Sequence, residues 1–150
     1  MISASLETPV GPLSVSERDG AIVRLDWTAE ASGQSALLSR ALKQLQAYFA
    51  GELTVFDLPL QVAGSGFQRA VCDAMLAIPF GETRTYGDIA RDLSAPPQPV
   101  GNACGGNPIP VIIPCHRVLG ASGLGGFSGK GGVETKVALL KLEGAASLLI

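Results

Sequence analysis

Pro114-Cys115-His116-Arg117 is the sharpest chemical feature of this 150-residue chain, because a thiol is followed directly by the only histidine present. A cysteine becomes a nucleophile when a cation, a base or a helix start favours its thiolate. Neighbouring side chains seldom bond directly, so a water would carry the proton from Cys115 to His116. The pair alone fits two readings: a reactive thiol with its base, or a buried cysteine beside a surface histidine. Cys72 and Cys104 complete an odd set of three cysteines, which argues against a disulfide framework and for a reducing compartment. Cys104, Cys115 and His116 lack zinc spacing, and Cys72 falls on another helix, so neither a metal nor a cofactor is expected. Gly129-Lys130 resembles the end of a phosphate-binding loop, but Leu124 and Gly131 break its spacing.

The flanking sequence must position these groups. Ile2, Ala4 and Leu6 alternate, as do Leu13 and Val15, and Asp19-Gly20 leads to Ile22, Val23 and Leu25; this pattern predicts a small antiparallel sheet with a hairpin. Leu38, Ala41, Leu42, Leu45, Tyr48 and Phe49 then follow a helical period that Gly51 ends. A boundary falls at Ala63-Gly64. Ser65 and Gln68 read as a capping box ahead of Phe67, Ala70, Val71, Ala74, Met75 and Ile78 on one helical face. Thr85 and Asp88 open a second helix with Tyr86, Ile89, Ala90 and Leu93, and a short helix follows Pro96-Pro97, from about Gln98 to Gly105. That succession resembles a helix-turn-helix. Ile109 to Ile113 reads as a buried strand. A glycine-rich loop follows to Gly132, then a last helix with Val133, Val137, Leu140 and Leu142.

Composition is consistent with a folded chain and says little about partners. Apolar residues make up 47%, charged ones 16%, and the net charge is −2, which mildly disfavours a polyanion ligand. The start lacks a basic, apolar leader, and no apolar run approaches a membrane span, so a cytoplasmic protein is expected.

Together, Asn107-Pro-Ile-Pro-Val-Ile-Ile-Pro-Cys-His-Arg-Val118 with Gly123 to Gly129, Ile78-Pro79-Phe-Gly81-Glu-Thr-Arg-Thr85-Tyr86-Gly-Asp-Ile-Ala90 and Leu142-Glu143-Gly144 resemble the O6-alkylguanine-DNA alkyltransferases. The match spans about residues 65 to 145, in the family's order and spacing. It implies an α+β fold: an N-terminal ribonuclease-H-like supporting domain over 1–63, with a small antiparallel sheet and a helix, and a mostly helical DNA-binding and active-site domain over 64–150 with a winged helix-turn-helix-like unit. It also implies the activity, single-use transfer of an alkyl group from O6 of guanine, and from O4 of thymine, to Cys115. His116 would take the thiol proton through water, Glu143 would orient His116 in the manner of a hydrolytic triad, and Asn107 would tie the recognition helix to the active-site segment. Tyr86, Gln98, Gly101 and Arg117 would contact double-stranded DNA in the minor groove while the damaged base flips out. Pro110, Val118, Phe127 and Ser128 would wall the base pocket, and the protein would act as a monomer. The family's usual arginine at the start of the recognition helix is here Gln98, which brings no charge to the gap in the duplex. Two other readings of the same chain are a protein that binds alkylated bases without repairing them and a cysteine hydrolase.

Overall fold

The computed structural model describes residues 1–127, 129 and 131–145. The chain forms two compact units, Met1–Ala63 and Gly64–Ile150. The first is an antiparallel meander of β1 (Ile2–Thr8), β2 (Gly11–Arg18) and β3 (Ala21–Asp26), followed by helix α1 (Ala36–Phe49). Asp19 and Gly20 both adopt positive φ, 51° and 78°, the backbone a tight two-residue hairpin turn needs. Leu13, Val15, Ile22 and Leu25 are buried with Leu38, Ala41, Leu45 and Tyr48 of α1, so the alternating period and the helical period meet in one core. Ser35 caps α1 through a hydrogen bond from the Leu38 amide.

The second unit contains α2 (Gly66–Leu76), α3 (Tyr86–Leu93), α4 (Pro97–Gly105), a single 3₁₀ turn at Cys115–Arg117 and α5 (Val133–Leu142). Two-residue strands β4 (Arg84–Thr85) and β5 (Val118–Leu119) pair in parallel and hold the start of α3 beside the 3₁₀ turn. Helices α2, α3 and α4 pack on one another as a helix-turn-helix-like unit. Thr85 and Asp88 form a reciprocal capping box, which fixes Tyr86 as the first residue of α3.

Four local expectations change. Only half of the Ser65–Gln68 box forms: Ser65 accepts from the Gln68 amide, while the Gln68 side chain donates to the Ala103 carbonyl at 2.8 Å and ties α2 to α4. The buried face of α2 is Val71, Cys72 and Met75, leaving Phe67 exposed. Ile109 to Ile113 is a buried turn and not a strand, closed by the Ile113 amide on the Ile109 carbonyl, with Val111 at φ 73°. Helix α5 buries Thr135, Lys136, Leu139 and Leu140, not the stripe through Val133 and Val137.

Candidate active site

Each part of the site has a local cause. Asn107, just past α4, accepts the Ile109 amide at 2.9 Å and donates to the Ile113 carbonyl at 2.8 Å, so one side chain closes the turn that carries the chain to Cys115. The Cys115 amide in turn bonds the Ile113 carbonyl at 2.8 Å. Cys115 is 7% exposed, and its thiol opens onto a cavity of about 380 Å³ lined also by Tyr86, Gly101, Cys104, Gly105, Gly126 and Phe127. Burial pushes the Cys115 thiol up, opposed by the Asn107 side chain and by the charge of Lys136. Cys104 faces the same cavity but has less help, and burial lifts it to about 12.

Behind the thiol lies a buried polar cluster. The Nε2 of His116 is 2.6 Å from a Glu143 oxygen, while Nδ1 is buried without a hydrogen-bond partner among the described residues. With Nε2 donating to the carboxylate, Nδ1 keeps a free lone pair, the form a base requires. Burial holds the His116 imidazole below its ordinary range, against the pull of Glu143. Arg117 grips the same carboxylate with two bonds, 2.8 and 3.1 Å, and donates a third to the Ile78 carbonyl at 2.6 Å.

Lys136, also fully buried, donates to the Val118 carbonyl at 2.6 Å and to Gly126 at 3.0 Å, so it clasps β5 and the pocket loop together. Its ammonium is 5.9 Å from the centre of the Tyr86 ring. Burial pushes this lysine down to about 8. The loop also depends on Gly125, at φ +71°, where a Cβ would stand 3.0 Å from the Tyr86 ring.

Two family models match the chain: the 6-O-methylguanine DNA methyltransferase ribonuclease-like domain over residues 1–62, and the DNA-binding domain of the same family over residues 66–145. The chain belongs to the 6-O-methylguanine DNA methyltransferase family. It is 44% identical to the methylated-DNA–protein-cysteine methyltransferase of Mycobacterium tuberculosis, over 93% of this chain and 90% of that one. It is 40% identical to the constitutive enzyme of Bacillus subtilis, covering 91% and 92%. The crystal structure of the M. tuberculosis O6-methylguanine methyltransferase superposes with a TM-score of 0.86 at 41% identity, covering 100% of this chain and 97% of that one. A structure of the same bacterium's OGT in complex with DNA gives 0.82 at 43%, covering 95% and 92%.

The methyltransferase geometry sorts the expected site residues. Cys115, Tyr86, Gly101 and Phe127 face one cavity, and His116 and Glu143 form the hydrogen-bonded pair behind it. Gln98 is exposed on the first turn of α4, the helix that lines the cavity further along with Gly101, Cys104 and Gly105. Arg117 is a correction. Its guanidinium is buried and committed to Glu143 and Ile78, so it is not displayed to a DNA phosphate. Pro110 and Val118 are not among the described residues that line the cavity: Pro110 is buried and bridged to Ile113, and the Val118 carbonyl is held by Lys136. Ser128 lies outside the described residues. Sequence reasoning missed Lys136 and Cys104. The signal for Lys136 was its spacing, since it stands four residues before Leu140 and seven before Glu143, on one helix face.

Proposed function

We propose that this protein repairs DNA by taking the alkyl group from O6 of guanine, and from O4 of thymine, onto Cys115, once per molecule. The observation that carries this reading is the Cys115 thiol opening onto a base-sized cavity with the His116–Glu143 pair buried behind it. The thiol proton passes through water to Nδ1 of His116, and Glu143 balances the imidazolium that forms. The thiolate sulfur attacks the alkyl carbon, the carbon–O6 bond breaks, and guanine leaves with the electron pair and takes up a proton. A thioether has no leaving group as good as guanine, so the product is permanent. The acceptor is the protein's own sulfur, and the chemistry calls for neither metal nor cofactor.

A thiol this enclosed cannot reach a base stacked in duplex DNA, so the base must rotate out through the minor groove into the cavity. Tyr86, in the cavity wall at the start of α3, crowds the strand that the base leaves. Gly101 leaves open space where any side chain would project, and Phe127 offers the base an aromatic face. Asn107 holds the turn that aims Cys115. Every described residue that lines the cavity belongs to 64–150, which supports a supporting role for 1–63 and action as a monomer. Three free thiols suit the reducing cytoplasm, and no described helix is long and apolar enough to cross a membrane.

The direct test is incubation with a duplex carrying O6-methylguanine, followed by peptide mass spectrometry. One methyl per molecule is expected on the peptide containing Cys115, and none in Cys115→Ala. Label on another residue, or repeated turnover, would overturn the assignment.

A further inference from the structure

Arg117 adjoins the proton relay but is absent from the transfer steps given above. It follows His116 in a one-turn 3₁₀ helix, where successive side chains diverge by about 120°. Even so, both converge on Glu143, because α5 packs against that turn. The planar guanidinium spans both carboxylate oxygens, at 2.8 and 3.1 Å, and its remaining arm is anchored on the Ile78 carbonyl just beyond α2. The Phe80 ring centre lies 5.8 Å from the guanidinium carbon. All of this is enclosed: the side chains of His116 and Glu143 have no exposed surface, and that of Arg117 has 8%.

We propose that Arg117 is a positioning residue for alkyl transfer: it fixes the Glu143 carboxylate on two edges and cancels its charge, so that His116 rests as a neutral base. The proposal builds on the reading of His116 as the thiol's base. Glu143 caps the C-terminus of α5, where the helix dipole disfavours a negative charge. A lone buried carboxylate 2.6 Å from the imidazole would draw a proton onto it, and a protonated imidazole cannot receive one from Cys115. Paired with Arg117, the same carboxylate keeps its hydrogen bond to Nε2 but carries little net field. Among the described residues, the charged and titratable groups around His116 are Lys136 from α5, Glu143 at its C-cap, and Cys115 and Arg117 from its own turn. Lys136 also opposes a charge on the imidazole, and burial is the largest influence in the same direction. Once His116 has accepted the proton, the carboxylate is already oriented to stabilise it.

The single histidine makes the test clean, since a ¹³C-histidine label gives one imidazole signal. In Arg117→Met the His116 titration midpoint should rise by at least about one pH unit, tenfold in proton affinity. The transfer rate should then fall about tenfold or more in mild acid and recover in mild alkali. Adding Glu143→Gln should bring the midpoint back down, although transfer stays slow. Arg117→Lys keeps the charge but loses the fork, so its midpoint should stay close to the parent's while transfer slows. An unmoved midpoint in Arg117→Met, or one that rises as far in Arg117→Lys, overturns the charge-balancing role. His116→Gln tests the underlying reading separately: full transfer by that variant would refute His116 as the base, whatever the titrations show.

Discussion

Two thiols face the cavity, and their surroundings separate them. Cys115 sits in the 3₁₀ turn beside His116, and the Asn107 side chain and the Lys136 charge favour its thiolate against burial. Cys104 sits in α4, where burial and the neighbouring Cys115 and Cys72 thiols outweigh the Lys136 charge and push it to about 12. Both thiols are pushed up by burial, and Cys115 has the larger set of neighbours opposing that push. The same contrast has a consequence for stability. A thiol that ionises near 9.0 when unfolded and near 12 when folded favours the folded state below 9, and that contribution fades as pH climbs towards 12. Cys104→Ala should therefore lose stability less steeply than the parent across this window, measured by urea denaturation at several pH values. Parallel slopes for the two proteins would mean that Cys104 ionises as an exposed thiol does. Lys136, pushed down to about 8, acts in the opposite sense as pH rises from there towards its ordinary 10.5, so the comparison must be made against the parent and not read from one curve.

At the scale of elements, periodicity located the helices better than their faces. The helical run from Leu38 to Tyr48, the Thr85–Asp88 box and the Asp19-Gly20 turn are local signals, and each corresponds to an element in the fold. Helix α5 was found too, yet its inward face, with its C-cap, holds Leu139 and Leu140 between Lys136 and Glu143. A search for apolar stripes selects the wrong side of a helix that buries charges, because their compensation comes from remote partners: Arg117 for Glu143, two carbonyls for Lys136. The Ile109–Ile113 run misled for a related reason, since apolar character signals burial but not conformation, and the Asn107 side chain dictates the turn. Likewise, the motif around Cys115 named the residues of the relay, but the inward direction of Arg117 was visible only in three dimensions. Helix α4 gives a test at this scale. Gly101 is helical, lines the cavity and has nothing within 4 Å of where a Cβ would stand. Gly101→Ala should stabilise the protein by roughly 0.5–1 kcal/mol through helix propensity. Gly101→Leu should keep the parent's Tm or better it while transfer slows by at least about tenfold, or about 1.4 kcal/mol of barrier. Normal transfer by Gly101→Leu would mean that the base enters along another wall.

On the scale of the whole molecule, the question is how a chain with 13 acidic and 11 basic residues holds DNA. Phosphate contacts supply most non-specific affinity, and each one neutralised steepens the salt dependence by about 0.9 in log–log slope. Arg117 contributes none of this, since its charge is spent on Glu143 inside the fold. At the start of α4, where the family usually carries an arginine, Gln98 is exposed between Pro97 and Pro99. Prolines there preset the first turn but remove amide donors that could otherwise meet a phosphate. On the proposed reading, neither Arg117 nor Gln98 brings a free cation to the duplex, so the ease with which the damaged base leaves the stack carries more of recognition. Gln98→Arg restores a cation at the one exposed position that the resemblance assigns to the duplex gap. In a Cys115→Ser background, which prevents turnover, that change should tighten binding to an O6-methylguanine duplex by about tenfold, near 1.4 kcal/mol. The gain should shrink between about 50 and about 200 mM salt, as fluorescence anisotropy would report. A gain that ignores salt would assign the effect to stacking, and no gain would mean that the first turn of α4 stays clear of the duplex.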